Sequence, residues 1–184
     1  MQGVLVGKHS AMKQPIIVKR VTSQAELVQV LAIRIRVFVK EQHVPAEIEL
    51  DRDDQWAVHF LALVSGKAVG TARVVMSHGR AKIGRMAVLK TYRRRGIGAA
   101  LLKRAIAAAK RLRARKIYLH AQVAVIGFYE RMGFRAVGRV FDEAGIPHRK
   151  MILGWEINHK GHKVHIEKRF GIGDLTAKNA KGAK

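Results

Sequence analysis

The sequence predicts a layered α/β (α+β) domain built on a mixed, mostly antiparallel sheet flanked by helices. Three observations carry this. Strand-like and helix-like patterns alternate along most of the chain, three strand-like runs follow one another across short turns, and a long amphipathic helix pattern follows the third.

Taken in order, IIVKRV (16–21) reads as a strand. Ser23 and Glu26 form a capping box, and the helix it opens carries Leu27, Val30, Leu31, Arg34, Ile35 and Phe38 at helical spacing. EQHVPAEIELDRDD (41–54), punctuated by Pro45, reads as a loop or a short second helix. WAVHFLALV (56–64) is apolar on both faces, as a central strand would be. Turns at Gly66 and at His78-Gly79 lead into AVGTARVVM (68–76) and KIGRMAVL (82–89), so the three runs form an antiparallel meander.

The helix expected from about 96 to 115 places Ile97, Leu101, Ala105, Ala108 and Leu112 on one face, with cations opposite. KIYLHA (116–121) is a strand, VAVIGFYERM (123–132) a short helix and Gly133 its C-cap. FRAVGRV (134–140) and HRKMILGWE (148–156) are the last strands. Residues 1–15 therefore read as a lead-in, 16–156 as one domain, and 157–184 as a basic, partly flexible tail.

At 184 residues and 48% hydrophobic content the chain can bury a real core. It has no cysteine, which excludes disulfides, thiolate catalysis and zinc-thiolate sites and suits a reducing cytoplasm. The opening residues lack the apolar run of a signal peptide, and no stretch reaches the roughly 18 apolar residues of a spanning helix. A soluble cytoplasmic protein without a membrane partner is expected, and no metal site is. The formal charge of +23 favours anionic ligands in general. A nucleic-acid partner is compatible with that charge but not favoured. Aromatics make up only 6%, and no helix-turn-helix, zinc-finger or RNA-recognition signature appears. The sequence leaves the oligomeric state open, with a homodimer among the options.

Between the strand at 82–89 and the long helix lies Arg93-Arg94-Arg95-Gly96-Ile97-Gly98. A helix start presents free N–H groups and partial positive charge, glycine admits close backbone approach, and arginines add charge-assisted hydrogen bonds. On the residues alone this is either a pyrophosphate cradle or a basic loop whose glycines fit a tight turn. It is not a P-loop, which needs G-x-x-x-x-G-K-[ST]. Nor is it a Rossmann turn, whose third glycine falls here on Leu101.

The segment resembles motif A of the GNAT superfamily of acetyltransferases, [QR]-x-x-G-x-[GA], with Arg93, Gly96 and Gly98 at its fixed positions. IGRMAVLKTYRRRGIGAALL resembles the whole strand–turn–helix unit, and FYERMGF (128–134) resembles the family's second signature. FVKEQHVP and EAGIPHRKM are similar to a bacterial subgroup of GNAT proteins. The resemblance spans about 16–155. It implies a sheet splayed between 82–89 and 116–121, with acetyl-CoA as co-substrate in the split. Pantetheine would pair near Met86, Ala87 and Val88. The pyrophosphate would sit on the turn Arg93, Arg94, Arg95, Gly96, Ile97, Gly98 and Ala99.

By the same resemblance Tyr129 would protonate the leaving thiolate and the Val88 amide would hold the oxyanion. On the residues alone Tyr129 reads first as an aromatic packed on the core, like Phe128 beside it. The implied activity is acetyl transfer to a primary amine on a small molecule or a protein; a non-catalytic acyl-CoA-binding fold is the alternative. His120, Glu41 and His148 are candidate bases without a decision among them. Six of the 13 acidic residues lie in 41–54, namely Glu41, Glu47, Glu49, Asp51, Asp53 and Asp54. They suggest either a rim that attracts a cationic amine or a solvated loop.

Overall fold

The computed structural model describes residues 14–154, together with the two short paired segments Glu156–Ile157 and Lys163–Val164. The lead-in over 1–13, and the tail apart from Ile157, Lys163 and Val164, lie outside the described residues.

The strands are β1 (Ile16–Arg20), β2 (Val58–Val64), β3 (Lys67–Ser77), β4 (Arg80–Val88), β5 (Lys116–Gln122), β6 (Phe134–Glu143) and β7 (Ile146–Leu153). They form one sheet in the order β1-β2-β3-β4-β5-β7-β6. Every neighbouring pair is antiparallel except β4 and β5, which run parallel. The β2-β3-β4 meander is the one expected. The β6–β7 hairpin is longer than expected because Ala144 and Gly145 both take positive φ (57° and 75°), which makes a tight turn that lets both strands run to its edge. Its second strand, not its first, lies against β5.

The helices are α1 (Gln24–Arg34), α2 (Ala46–Glu49), α3 (Ile97–Arg111) and α4 (Ile126–Glu130). Ser23 caps α1 by accepting from the Glu26 amide at 3.3 Å, and the Thr22 amide donates to the Glu26 carboxylate at 2.8 Å. The helix then widens into a π-helix over Ile35–Glu41, with the Gln42 amide reaching back to Val37 O. α3 buries Ile97, Leu101, Leu102, Ala105 and Ala109 against Ile83, Ile117 and Leu119 of the sheet. Each of its fully buried leucines contributes about 1.5–3 kcal/mol. It ends earlier than the sequence pattern suggests. Arg113 turns to φ 56°, and the Arg115 amide leaves the helix for Gly79 O at 2.7 Å. A smaller cluster on the other face of the sheet joins Val30, Ile33 and Val37 to Leu61 and Ala87.

Arg34 sits at a core-facing position of α1 and is wholly buried. Its guanidinium bonds the Glu49 carboxylate and Glu49 O, and grips Asp54 at 2.7 and 3.0 Å. Arg73 pairs with Asp51 at 2.6 and 2.8 Å and with Asp54 at 2.7 Å. Arg85 pairs with Asp51 at 2.8 Å and Glu49 at 3.2 Å and donates to Ile48 O. Burial works to raise the Asp54 carboxyl, but Arg34 and Arg73 outweigh it and hold that group at about 2. At Glu49 burial prevails and lifts the carboxyl above its ordinary range, against the pull of Arg34 and Arg85.

This network pins α2 and the 3₁₀ turn Arg52–Gln55 onto β3 and β4. An acidic rim facing an incoming amine is therefore not what Glu49, Asp51 and Asp54 form, because their charge is answered by three arginines beneath them. The arginines come from α1, β3 and β4, far away along the chain, so the run of acids alone gave no sign of them.

Candidate active site

The β4–β5 ladder runs from Arg80↔Lys116 only to Ile83↔Leu119. Beyond it β4 stays with β3, while β5 pairs with β7 as far as Gln122↔His148. The cause of the parting lies in β4. The β3–β4 register slips between Arg73↔Gly84 and Thr71↔Ala87, and Arg85, inside the slip, takes φ 49°. Such a bulge bends a strand and re-aims its side chains. Here it throws Arg85 into the ion network and turns the end of β4 away from β5.

The parting leaves backbone unpaired. Leu89 N–H donates to Val69 O at 2.9 Å, so alternation aims the Val88 and Met86 peptide groups at the opposite edge, into the split. The split opens into a cleft of about 750 Å³. Met86, Ala87, Val88, Arg93, Arg94, Gly96, Ile97, Gly98, Ala99 and Tyr129 all line it. Arg95 does not; its guanidinium lies 5.3 Å from the Tyr92 ring centroid instead.

In the turn, Arg94 (φ 63°) and Gly96 (φ +85°) both adopt left-handed backbone. Gly96 is the N-cap of α3 and offers no capping side chain, and a Cβ placed there would meet open space. The first intrahelical bond is Ala100 N–H to Gly96 O at 3.0 Å. The amides of Ile97, Gly98 and Ala99 precede it and find no capping side chain. They present N–H groups and the positive end of a 15-residue helix to the cleft. The Ile97 side chain is buried in the core, so only its backbone can serve a ligand. Arg93 is occupied: it grips Glu41 bidentately at 2.6 and 2.7 Å and donates to Val88 O at 2.9 Å. Its hydrogen bond holds the Glu41 carboxyl below the usual range. Glu41 is thereby a strut of the turn.

Tyr129 packs edge-on against Phe128 at 4.9 Å and lies 6.1 Å from Phe134. Its hydroxyl reaches only the Met86 thioether, at 3.8 Å, a weak acceptor. Burial pushes the phenol up to about 12. The Tyr129 ring packs in the core cluster, and the residue also lines the cleft.

On β5, Ile117, Leu119 and Ala121 are buried toward α3, so His120 and Gln122 face the other side of the sheet. Both line the cleft, with Lys82, Glu143 and His148. His120 Nδ1 lies 2.9 Å from Glu143 Oε2. Gln122 donates to Gln42 at 2.8 Å, and His148 Nδ1 bonds Ile146 O at 2.8 Å. Sequence reasoning did not find Glu143, Lys82 or the Glu41–Arg93 pair. No local spacing marks residues that meet only through the sheet. Among the described residues no cluster of His, Asp and Glu is arranged to hold a metal, and no helix is long and apolar enough to cross a membrane.

Residues 18–154 match the family described as Acetyltransferase (GNAT) domain. The chain belongs to the GNAT family of acetyltransferases. A relative called uncharacterized N-acetyltransferase YjcF, from Bacillus subtilis, is 36% identical to this GNAT chain over 71% of it and 94% of the relative. An acyl-CoA N-acyltransferase from Pseudomonas aeruginosa shares the fold with a TM-score of 0.67. It is 32% identical and covers 77% of this chain and 99% of its own. The structure of Escherichia coli ElaA has a TM-score of 0.69 at 28% identity, covering 76% of this chain and 100% of its own. The GNAT fold family uses acetyl-CoA.

Proposed function

We propose that the protein is an N-acetyltransferase that moves the acetyl group of acetyl-CoA directly to a primary amine. One observation carries this reading: an unpaired strand edge, an uncapped glycine-led helix start and a buried phenol converge on one cleft. Pantetheine amides fit the Met86 backbone and the Val88 N–H, the Val88 carbonyl being taken by Arg93. The pyrophosphate fits the amides of Ile97, Gly98 and Ala99, with Arg94 supplying charge and Arg93 shaping the turn from behind. When bound, acetyl-CoA supplies the thioester carbonyl to be attacked.

The residues then divide the work. The Val88 N–H points into the split and would hold the developing oxyanion. Tyr129 stays protonated far above neutral pH, so it donates a hydrogen bond to the departing sulfur. A phenol near 12 is a weak acid toward a thiolate whose ordinary pKa is about 8.5. Full proton transfer therefore runs together with loss of a proton from the attacking nitrogen.

The test is twofold. Acetyl-CoA at 100 times its Kd should stabilise the native protein by about 2.7 kcal/mol, read as a raised Tm. Release of free thiol with a panel of primary amines should follow. No thermal shift rejects the reading, and a shift without thiol release assigns a non-catalytic acyl-CoA binder. Tyr129→Phe should lower kcat about 100-fold with little change in the KM for acetyl-CoA, since the hydroxyl acts in the transition state. An unchanged kcat returns Tyr129 to packing alone.

A further inference from the structure

We infer that His120, oriented by Glu143, is the group that takes the proton from the acceptor ammonium. This rests on the acetyl-transfer reading above and adds the base it lacks.

The geometry of the pair sets the chemistry. Glu143 Oε2 stands 2.9 Å from His120 Nδ1, and the hydrogen bond from His120 holds the Glu143 carboxyl at about 2, aided by Lys82 and His148. Glu143 is thus ionised and only accepts, so Nδ1 carries the proton of the neutral ring. The lone pair of the neutral imidazole is then on Nε2, which makes no hydrogen bond to the described residues. The ring is held on its flank by Phe141, centroids 4.9 Å apart at 76°, and is only partly buried, with a quarter of its side chain exposed. A carboxylate that fixes the tautomer and a bare nitrogen facing a cleft are the two parts a general base needs.

Position makes the pair specific to the acceptor. β5 directs Leu119 and Ala121 to the α3 side, where Tyr129 and the cofactor turn lie, and His120 to the opposite side. An amine entering from that side meets His120 before the thioester, so base and acid flank the carbonyl. The other groups facing His120 are Lys82 from β4, Glu143 from β6, and His148 and Lys150 from β7. Lys150 lies over the Tyr118 ring at 5.0 Å. Arg73 and Arg85, the other cations of this half of the cleft, are already paired with carboxylates. Glu41 is bound to Arg93, and His148 Nδ1 donates to the Ile146 carbonyl of its own hairpin, so of the two histidines lining the cleft only His120 is oriented by a carboxylate.

The proton balance is as follows. R–NH3⁺ gives one proton to Nε2, and the neutral amine attacks the carbonyl carbon. The C–S bond breaks, and the second nitrogen proton reaches the sulfur through the Tyr129 hydroxyl, giving the amide and CoA thiol. The imidazolium returns its proton to solvent.

The experiment has two arms. In the first, nitrogen-15 NMR of the CoA-bound protein identifies the His120 ring by its loss in His120→Gln. The expected neutral form is protonated at Nδ1. Glu143→Ala should remove that preference and populate the Nε2-protonated form, because no carboxylate then holds Nδ1–H. A wild-type ring protonated at Nε2, or a tautomer that Glu143→Ala leaves unchanged, overturns the inference. In the second arm, thiol release from acetyl-CoA is followed with ethylamine and with 2,2,2-trifluoroethylamine, which is largely neutral at the assay pH. His120→Gln should lose about 100-fold with ethylamine and far less with the fluorinated amine, and the acid limb of its pH profile should vanish. Equal losses with both amines mark a structural role and overturn the inference. Wild-type protein that turns over neither amine counts against the proposed function, whereas the NMR arm, repeated without CoA, judges the His120–Glu143 pair on its own.

Discussion

Arg34→Met is expected to destabilise the native state by about 3–5 kcal/mol, the cost of leaving buried charge uncompensated. Methionine fills a similar volume, so little of the loss is a cavity. Glu49 would lose its closest cation while remaining 1% exposed, and one oxygen of Asp54 would be left to Arg73 alone. Urea denaturation followed by circular dichroism measures the effect as a fall in the midpoint at constant m-value. Replacing Glu49 by methionine in the same chain should restore a good part of the loss, because removing both members of a buried pair is often nearly neutral. A single variant within about 1 kcal/mol of wild type would show that the network contributes far less than its burial implies.

Gly96→Glu is expected to reduce affinity for acetyl-CoA at least about 100-fold, roughly 2.8 kcal/mol. Two effects act together. A side chain at φ +85° is strained by about 1–2 kcal/mol whatever space surrounds it. The new carboxylate would stand at the mouth of the amide cradle and repel a diphosphate. Gly96→Ala separates them. It carries the strain without the charge, so it should lose thermal stability like the glutamate variant yet keep most of its affinity. Isothermal titration with acetyl-CoA decides the matter. Affinity retained in Gly96→Glu would place the diphosphate elsewhere.

Much of this architecture was legible because it rests on local pattern. The Ser23–Glu26 cap, the apolar stripe of α3 and the turns at Gly66 and Gly79 are short-range signals, and each marked an element that the structure contains. The glycine turn was legible for the same reason: strand, arginines, glycine and helix are contiguous. What stayed hidden depends on pairing across the sheet. Arg34 occupied a core position in the helical pattern, but nothing nearby identified Glu49 and Asp54 as its partners. Glu49, Asp51 and Asp54 read as a surface because the arginines that absorb them come from three other elements. Glu143 became visible only when β7 was found between β5 and β6, which brings the hairpin end beside His120. The bulge at Arg85 had no sequence mark, since arginine does not favour positive φ, and the strain is supported by the ion pairs it makes.

That bulge has a practical consequence for redesign. One residue both anchors the 46–55 segment and sets where its own strand, β4, presents Val88, so the two cannot be retuned separately. Loop grafts in that segment would also shift Val88, the oxyanion donor of the proposed reaction. Gln122 on β5 and His148 on β7 offer a handle decoupled from Arg85, because they line the cleft from strands that carry no part of the glycine turn.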